Sequence, residues 1–239
     1  PLIESSPIPN NPQRTGNASV GYEYLISGNY MSSGVPYDAF LLGTSVNPDN
    51  RLNRIGDNAN LPYDYTAITA TNGAKVVAPN CMACHASTIN NEFIIGLGSH
   101  DADFTVNRAS NIALLNSGIR ALYGGEESAE WQAYDQFRKS IVAIGPRTMT
   151  ETRGSNPADK ITLVLIAHRD KSTLEWQDTP LVDIPEEVIP SDVPAWWLLK
   201  KKNAMFYHAI GRGDFCKSFI GSSLLTLGDA TKAAEIDAK

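Results

Sequence analysis

Val20, Tyr24 and Leu25 fall on one face of a stretch that Gly28 ends, which predicts a first helix over residues 19–27. Pro36 can open a second short helix through Phe40 and Leu41, because proline loses no hydrogen bond at a first helical position. Val106, Ile112, Leu115, Ile119 and Leu122 recur at mostly helical intervals across residues 103–123, and Gly124-Gly125 stops them. Trp131, Tyr134, Phe137, Ile141 and Ile144 mark another helix from about Ser128, closed by Gly145-Pro146. Asn156-Pro157 supplies cap and first-turn residues for a helix running to about His168. A last helix begins near Asp229. The β signal is concentrated in residues 67–78, where Asn72-Gly73 separates two β-leaning runs and predicts a hairpin.

Between these elements the chain is polar and rich in turn residues. Residues 1–18 carry Pro7, Pro9 and Pro12 and read as an extended segment. Residues 43–65 read as one long loop rich in Asn, Asp, Gly and Pro. Residues 170–194 hold Pro180, Pro185, Pro190 and Pro194 and form an arm. The expected organisation is therefore an N-terminal segment over 1–18, a domain over 19–169, and an arm with a C-terminal extension over 170–239 that packs on it.

Directly after the hairpin stands Cys81-Met82-Ala83-Cys84-His85, a C-x-x-C-H sequence. Two thiols three residues apart lie on one side of a short helical turn, where they can add to the two vinyl groups of one haem. The next residue, His85, is then placed as the proximal iron ligand. Pro79-Asn80 is positioned to cap this turn. A zinc site is the rival, but zinc takes about four N or S ligands and the chain has no second C-x-x-C and no H-x-x-x-H. A thioredoxin-type pair is disfavoured because no βαβ pattern surrounds the motif.

An iron so held has a sixth position to fill or leave open. Met149, in the loop Gly145-Pro146-Arg147-Thr148-Met149, is the favoured ligand, with His168, His208 and His100 as alternatives. Methionine raises the reduction potential, a second histidine lowers it, and an open site admits peroxide or oxygen. Arg108, Arg147 and Arg212 are candidate partners for the haem propionates, because a guanidinium pairs with carboxylates in bidentate fashion. Trp196-Trp197 reads as core or haem packing. Lys200-Lys201-Lys202 reads as a solvated face, or else a docking patch for an acidic redox partner. Cys216 reads as a buried small hydrophobe, an intermolecular bridge being the alternative.

Composition narrows the partners. The chain has 239 residues, 42% of them apolar, and a net charge of −6, so no general affinity for nucleic acid or anionic membranes is expected. No apolar run reaches the roughly 18 residues of a membrane span. The chain starts at Pro1, which reads as a processed mature end.

Cys81–His85 with Asn90-Asn91-Glu92-Phe93, Gly154-Ser155-Asn156-Pro157-Ala158, and the run from Asp192 through Trp196-Trp197 to Tyr207 with Gly211-Arg212-Gly213-Asp214 resemble bacterial c-type cytochromes. The resemblance is to those related to dihaem cytochrome c peroxidases and the rubber-oxygenase group, and it covers roughly residues 80–235. It implies a mainly α, cytochrome c-like fold with long loops and a small β-hairpin, one covalent haem c, and a periplasmic or extracellular location. Such proteins carry a second C-x-x-C-H in a C-terminal haem domain, and this chain has one such motif. The expected function is one-electron transfer with redox partner proteins. The alternatives are the haem domain of a peroxidase- or oxygenase-like enzyme, with Glu92 as an acid–base group, and a self-assembling subunit of a larger multihaem assembly.

Overall fold

The computed structural model describes residues 6–44, 50–206, 209, 211–226 and 230–239. Its helices are α1 (Ala18–Ser27), α2 (Tyr37–Gly43), α3 (Met82–His85), α4 (Ile112–Tyr123), α5 (Ala129–Ile144), α6 (Ala158–Ala167), α7 (Phe215–Thr226) and α8 (Ala230–Asp237). The strands are β1 (Val35–Pro36), β2 (Tyr65–Thr69), β3 (Lys75–Pro79), β4 (Ala86–Ile89) and β5 (Glu92–Ile95). Among the described residues about 40% are helical when 3-10 turns are included, and about 12% are in strands or isolated bridges, the strands forming two small sheets. The fold is thus mixed α/β, which corrects the expectation of a mainly α, cytochrome c-like domain.

The physical reason lies in β3. The Asn72-Gly73 turn folds β2 back on it as expected, with Ile68 opposite Val76, and Gly73 takes the left-handed backbone the turn requires. Residues 35–36, expected only to start a helix, add a third strand, giving the order β1-β3-β2. The central strand is then covered on both faces. Val76 and Ala78 pack with Tyr30, Met31, Ile68 and Ala133, while Val77 packs with Tyr37 and Leu61. Helix α5 lays Ala133 and Trp131 against this sheet and against Ile119 of α4.

Several helix boundaries follow their caps. Asn17 accepts from the backbone N–H groups of Ser19 and Val20 at the start of α1, and Ser128 accepts from Trp131 at the start of α5. The helix expected over 103–123 begins only at Ile112, because Asp103, Asn107 and their neighbours bond locally in turns. The apolar stretch 214–227, not assigned as a helix from its pattern, forms α7 as far as Thr226. Cys216 is exposed on that helix, contrary to the buried position expected. The N-terminal segment runs extended along the C-terminal part: Gln13 bonds Gly213 and Phe215, and Arg14 pairs with Asp214 and Asp237.

Within the long loop, Arg54 is almost fully buried at 4% exposure. Its Nη1 donates to the Tyr65 carbonyl at 2.6 Å, and its Nη2 donates to the carbonyls of Leu61 and Pro62 at 2.8 Å each. One guanidinium therefore satisfies three carbonyls of a segment that has no ladder of its own there. Replacing Arg54 by Met should destabilise the fold by about 2 kcal/mol or more, since the Leu61 and Tyr65 carbonyls lose the guanidinium at about 1–3 kcal/mol each, while Pro62 keeps the Tyr65 N–H. Urea denaturation checks this, and a loss below about 1 kcal/mol would show that water replaces the guanidinium.

Candidate functional site

The segment gathered by Arg54 leads straight to the C-x-x-C-H turn. Asn80, 6% exposed, takes its own N–H to the Asp64 carbonyl at 2.9 Å. Its Nδ2 donates to the Tyr63 carbonyl and to Thr66 Oγ1, both at 2.9 Å, and its Oδ1 accepts from Met82 N. The side chain thus ties the preceding loop to the first turn of α3 and satisfies an N–H that the short helix leaves over. Met82 is fully buried and anchors the turn, while Cys81 packs at the edge of the sheet core.

Three contacts fix the exit. After His85 the backbone becomes extended and enters β4, which pairs with β5 through Asn90-Asn91, both left-handed as a tight hairpin requires. Gly96 N donates to the His85 carbonyl at 2.7 Å, and Ser99 N donates to the Cys84 carbonyl at 2.9 Å. This second hairpin has the Asn-Asn signal in the sequence, but residues 86–89 are too short and mixed to stand out as a strand.

Both motif thiols are free, and both are partly buried. Burial pushes the Cys81 thiol up to about 11. It also raises Cys84, against the opposing pull of the Asn156 amide and of the Arg108 charge. Asn156 Nδ2 lies 3.5 Å from Cys84 Sγ. That contact joins the start of α6 to the motif, a role not legible in the cap pattern Asn156-Pro157. Burial lowers the His85 imidazole to about 4, so it is neutral at physiological pH. Its Nδ1 is buried without a partner.

On one face of His85 lies Trp196, ring centroids 5.0 Å apart and tilted by 31°. Phe219 of α7 meets Trp196 edge-on at 5.9 Å. Trp196 begins a 3-10 turn, Trp196–Lys201, in which Trp197, Lys200 and Lys201 are exposed. The long loop also reaches this end of the molecule: Arg51 lies over the Tyr63 and Phe93 rings and bonds Thr88 Oγ1.

The remaining candidates scatter. Met149 is exposed, between buried Thr148 and Thr150, in a stretch whose Thr150 N donates to the Phe104 carbonyl. His100 is exposed. His168 is buried and stacked on Trp176 at 4.7 Å, with its Nδ1 on the Gln177 carbonyl at 2.7 Å and its Nε2 buried without a partner. His208 lies outside the described residues. Arg108 packs over Phe104 at 4.0 Å and its charge reaches Cys84. Arg147 bonds the Ala143 carbonyl at the end of α5, and Arg212 bonds the Ala209 carbonyl. Glu92 is exposed at the start of β5. Among the described residues no group of three or more His, Cys, Asp or Glu is gathered to hold a metal ion, and no helix is long and apolar enough to cross a membrane.

The donor set nevertheless fits a haem. Neither thiol is in a disulfide, and burial keeps both protonated, with Tyr30 beside Cys81 and Asn156 beside Cys84. The imidazole is neutral, and Trp196 packs against it with the two ring planes 31° apart. A catalytic dithiol fits less well, since reactive cysteines carry lowered rather than raised pKa values. Comparison with family models, with curated proteins and with solved structures finds no match for this chain.

Two measurements on the haem-free chain follow. With Cys216 replaced by Ser, iodoacetamide should label Cys81 and Cys84 slowly at pH 8 and progressively faster toward pH 11; full reactivity near pH 7 would contradict buried, protonated thiols. Stability should also fall as pH drops through the window from about 6.5 to about 4, where the unfolded chain takes up a proton on His85 that the folded chain refuses. His85→Gln should flatten that part of the stability curve, as read by denaturant titrations at each pH.

Proposed function

We propose that the chain is a c-type haem protein that transfers single electrons outside the cytoplasm, in the periplasm or extracellularly, and that it is related to the bacterial cytochromes its sequence resembles. The observation that carries the reading is the C-x-x-C-H turn itself, with two free thiols followed by a neutral imidazole whose ring nitrogens make no hydrogen bond among the described residues. Cys81 and Cys84 would hold the haem through thioether bonds, each S–H adding across a vinyl group with its hydrogen on the neighbouring carbon and no net oxidation. His85 would ligate the iron. When bound, the haem supplies an Fe(III)/Fe(II) couple, and the protein supplies attachment, ligation and burial.

Arg108 is the propionate partner favoured here, because its charge already reaches the Cys84 thiol, whereas Arg147 and Arg212 cap backbone carbonyls. Met149 is assigned to the sixth position. Its side chain is exposed and free of the core, and His168, with Nδ1 on the Gln177 carbonyl and Nε2 without a partner, is the alternative. The partner is a redox protein.

Optical spectra of the oxidised and reduced protein test the assignment. A six-coordinate low-spin haem with the weak red band of Met–Fe(III), unchanged by peroxide and lost in Met149→Ala, is expected. A high-spin haem that reacts with peroxide would overturn electron carriage and make the centre catalytic.

A further inference from the structure

Histidines that bind metals normally have their second ring nitrogen fixed by a hydrogen bond, which sets the ring's orientation. His85 lacks that device, since its Nδ1 is buried with no partner. The neighbour that constrains the ring is instead an aromatic face. We propose that Trp196 is the positioning residue for His85, its indole holding the imidazole plane that a hydrogen bond would otherwise set. The proposal rests on the reading of His85 as an axial ligand.

The backbone is built for this contact. Trp196 N donates to the Gly96 carbonyl at 2.8 Å, and Gly96 N donates in turn to the His85 carbonyl at 2.7 Å. Two hydrogen bonds through one residue thus register the indole against the imidazole. Gly96 has a φ of +86°, and a Cβ there would lie 3.2 Å from the Trp196 ring. At Gly98 a Cβ would stand 1.8 Å from the Val193 carbonyl oxygen. A side chain at Gly98 would push the 193–196 segment away, and one at Gly96 would strain the backbone and crowd the indole, so the two glycines admit the close approach. Phe219 braces the indole edge-on at 5.9 Å, and among the described residues the imidazole is its other aromatic neighbour. The indole Nε1 is itself buried with no partner, so beyond the backbone bonds the ring is held by packing alone.

The first test uses the haem-free chain and proton NMR. Cross-relaxation between the Trp196 indole protons and the His85 ring protons is expected in the unmodified sequence. The His85 ring signals should be displaced by the indole ring current, keep part of that displacement in Trp196→Phe, and move to the position of free histidine in Trp196→Ala. Absence of the cross-relaxation overturns the proposal, even if the alanine variant does not fold. The second test uses the haem-loaded protein and low-temperature electron paramagnetic resonance of the oxidised state, which reads the axial ligand plane. One low-spin species is expected for the unmodified chain and for Trp196→Phe, and a spread of species for Trp196→Ala. Identical spectra for all three overturn the proposal. Failure of the chain to attach haem, with the cross-relaxation present, contradicts the functional reading and leaves the ring contact standing.

Discussion

A buried guanidinium organises the approach to the motif. Arg54 collects the carbonyls of Leu61, Pro62 and Tyr65, and the segment so shaped presents Tyr63, Asp64 and Thr66 to Asn80. Asn80 then sets the first turn of the C-x-x-C-H helix through Met82. A four-residue helix has too few internal hydrogen bonds to hold its own shape. Its geometry is imposed from outside, by this relay at one end and by the bonds from Gly96 and Ser99 at the other.

The same dependence explains what the sequence shows and what it hides. The C-x-x-C-H spacing is local and can be read directly, as can the Asn72-Gly73 turn and the caps at Asn17 and Ser128. Strand β1 is only Val35–Pro36 and exists because β3 offers it an edge, so no periodicity announces it. Helix α7 carries its apolar residues without a clear stripe, and its packing partners come from distant parts of the chain. Strand β1 and the β4–β5 hairpin turn an expected helical domain into a mixed one.

The site was legible to a similar degree. Cys81, Cys84 and His85 stand together because they adjoin in sequence. Asn156 and Trp196 reach the motif only through the fold, from residues that the sequence marks as a helix cap and an aromatic pair. Arg54 was invisible as an organiser, since an arginine in a polar loop ordinarily reads as solvated surface. The candidate sixth ligands remain spread over three environments: exposed Met149 and His100, buried His168, and His208 outside the described residues.

All of these contacts converge on two protonated thiols and a neutral imidazole, and the account stands on what those three groups carry. The most direct measurement is the intact mass of the chain after production in a bacterial periplasm with haem-attachment machinery. One haem added covalently, located to the Cys81–His85 peptide and abolished in the double variant Cys81→Ala/Cys84→Ala, is the predicted result. A chain that reaches the periplasm folded and carries no added mass contradicts the account.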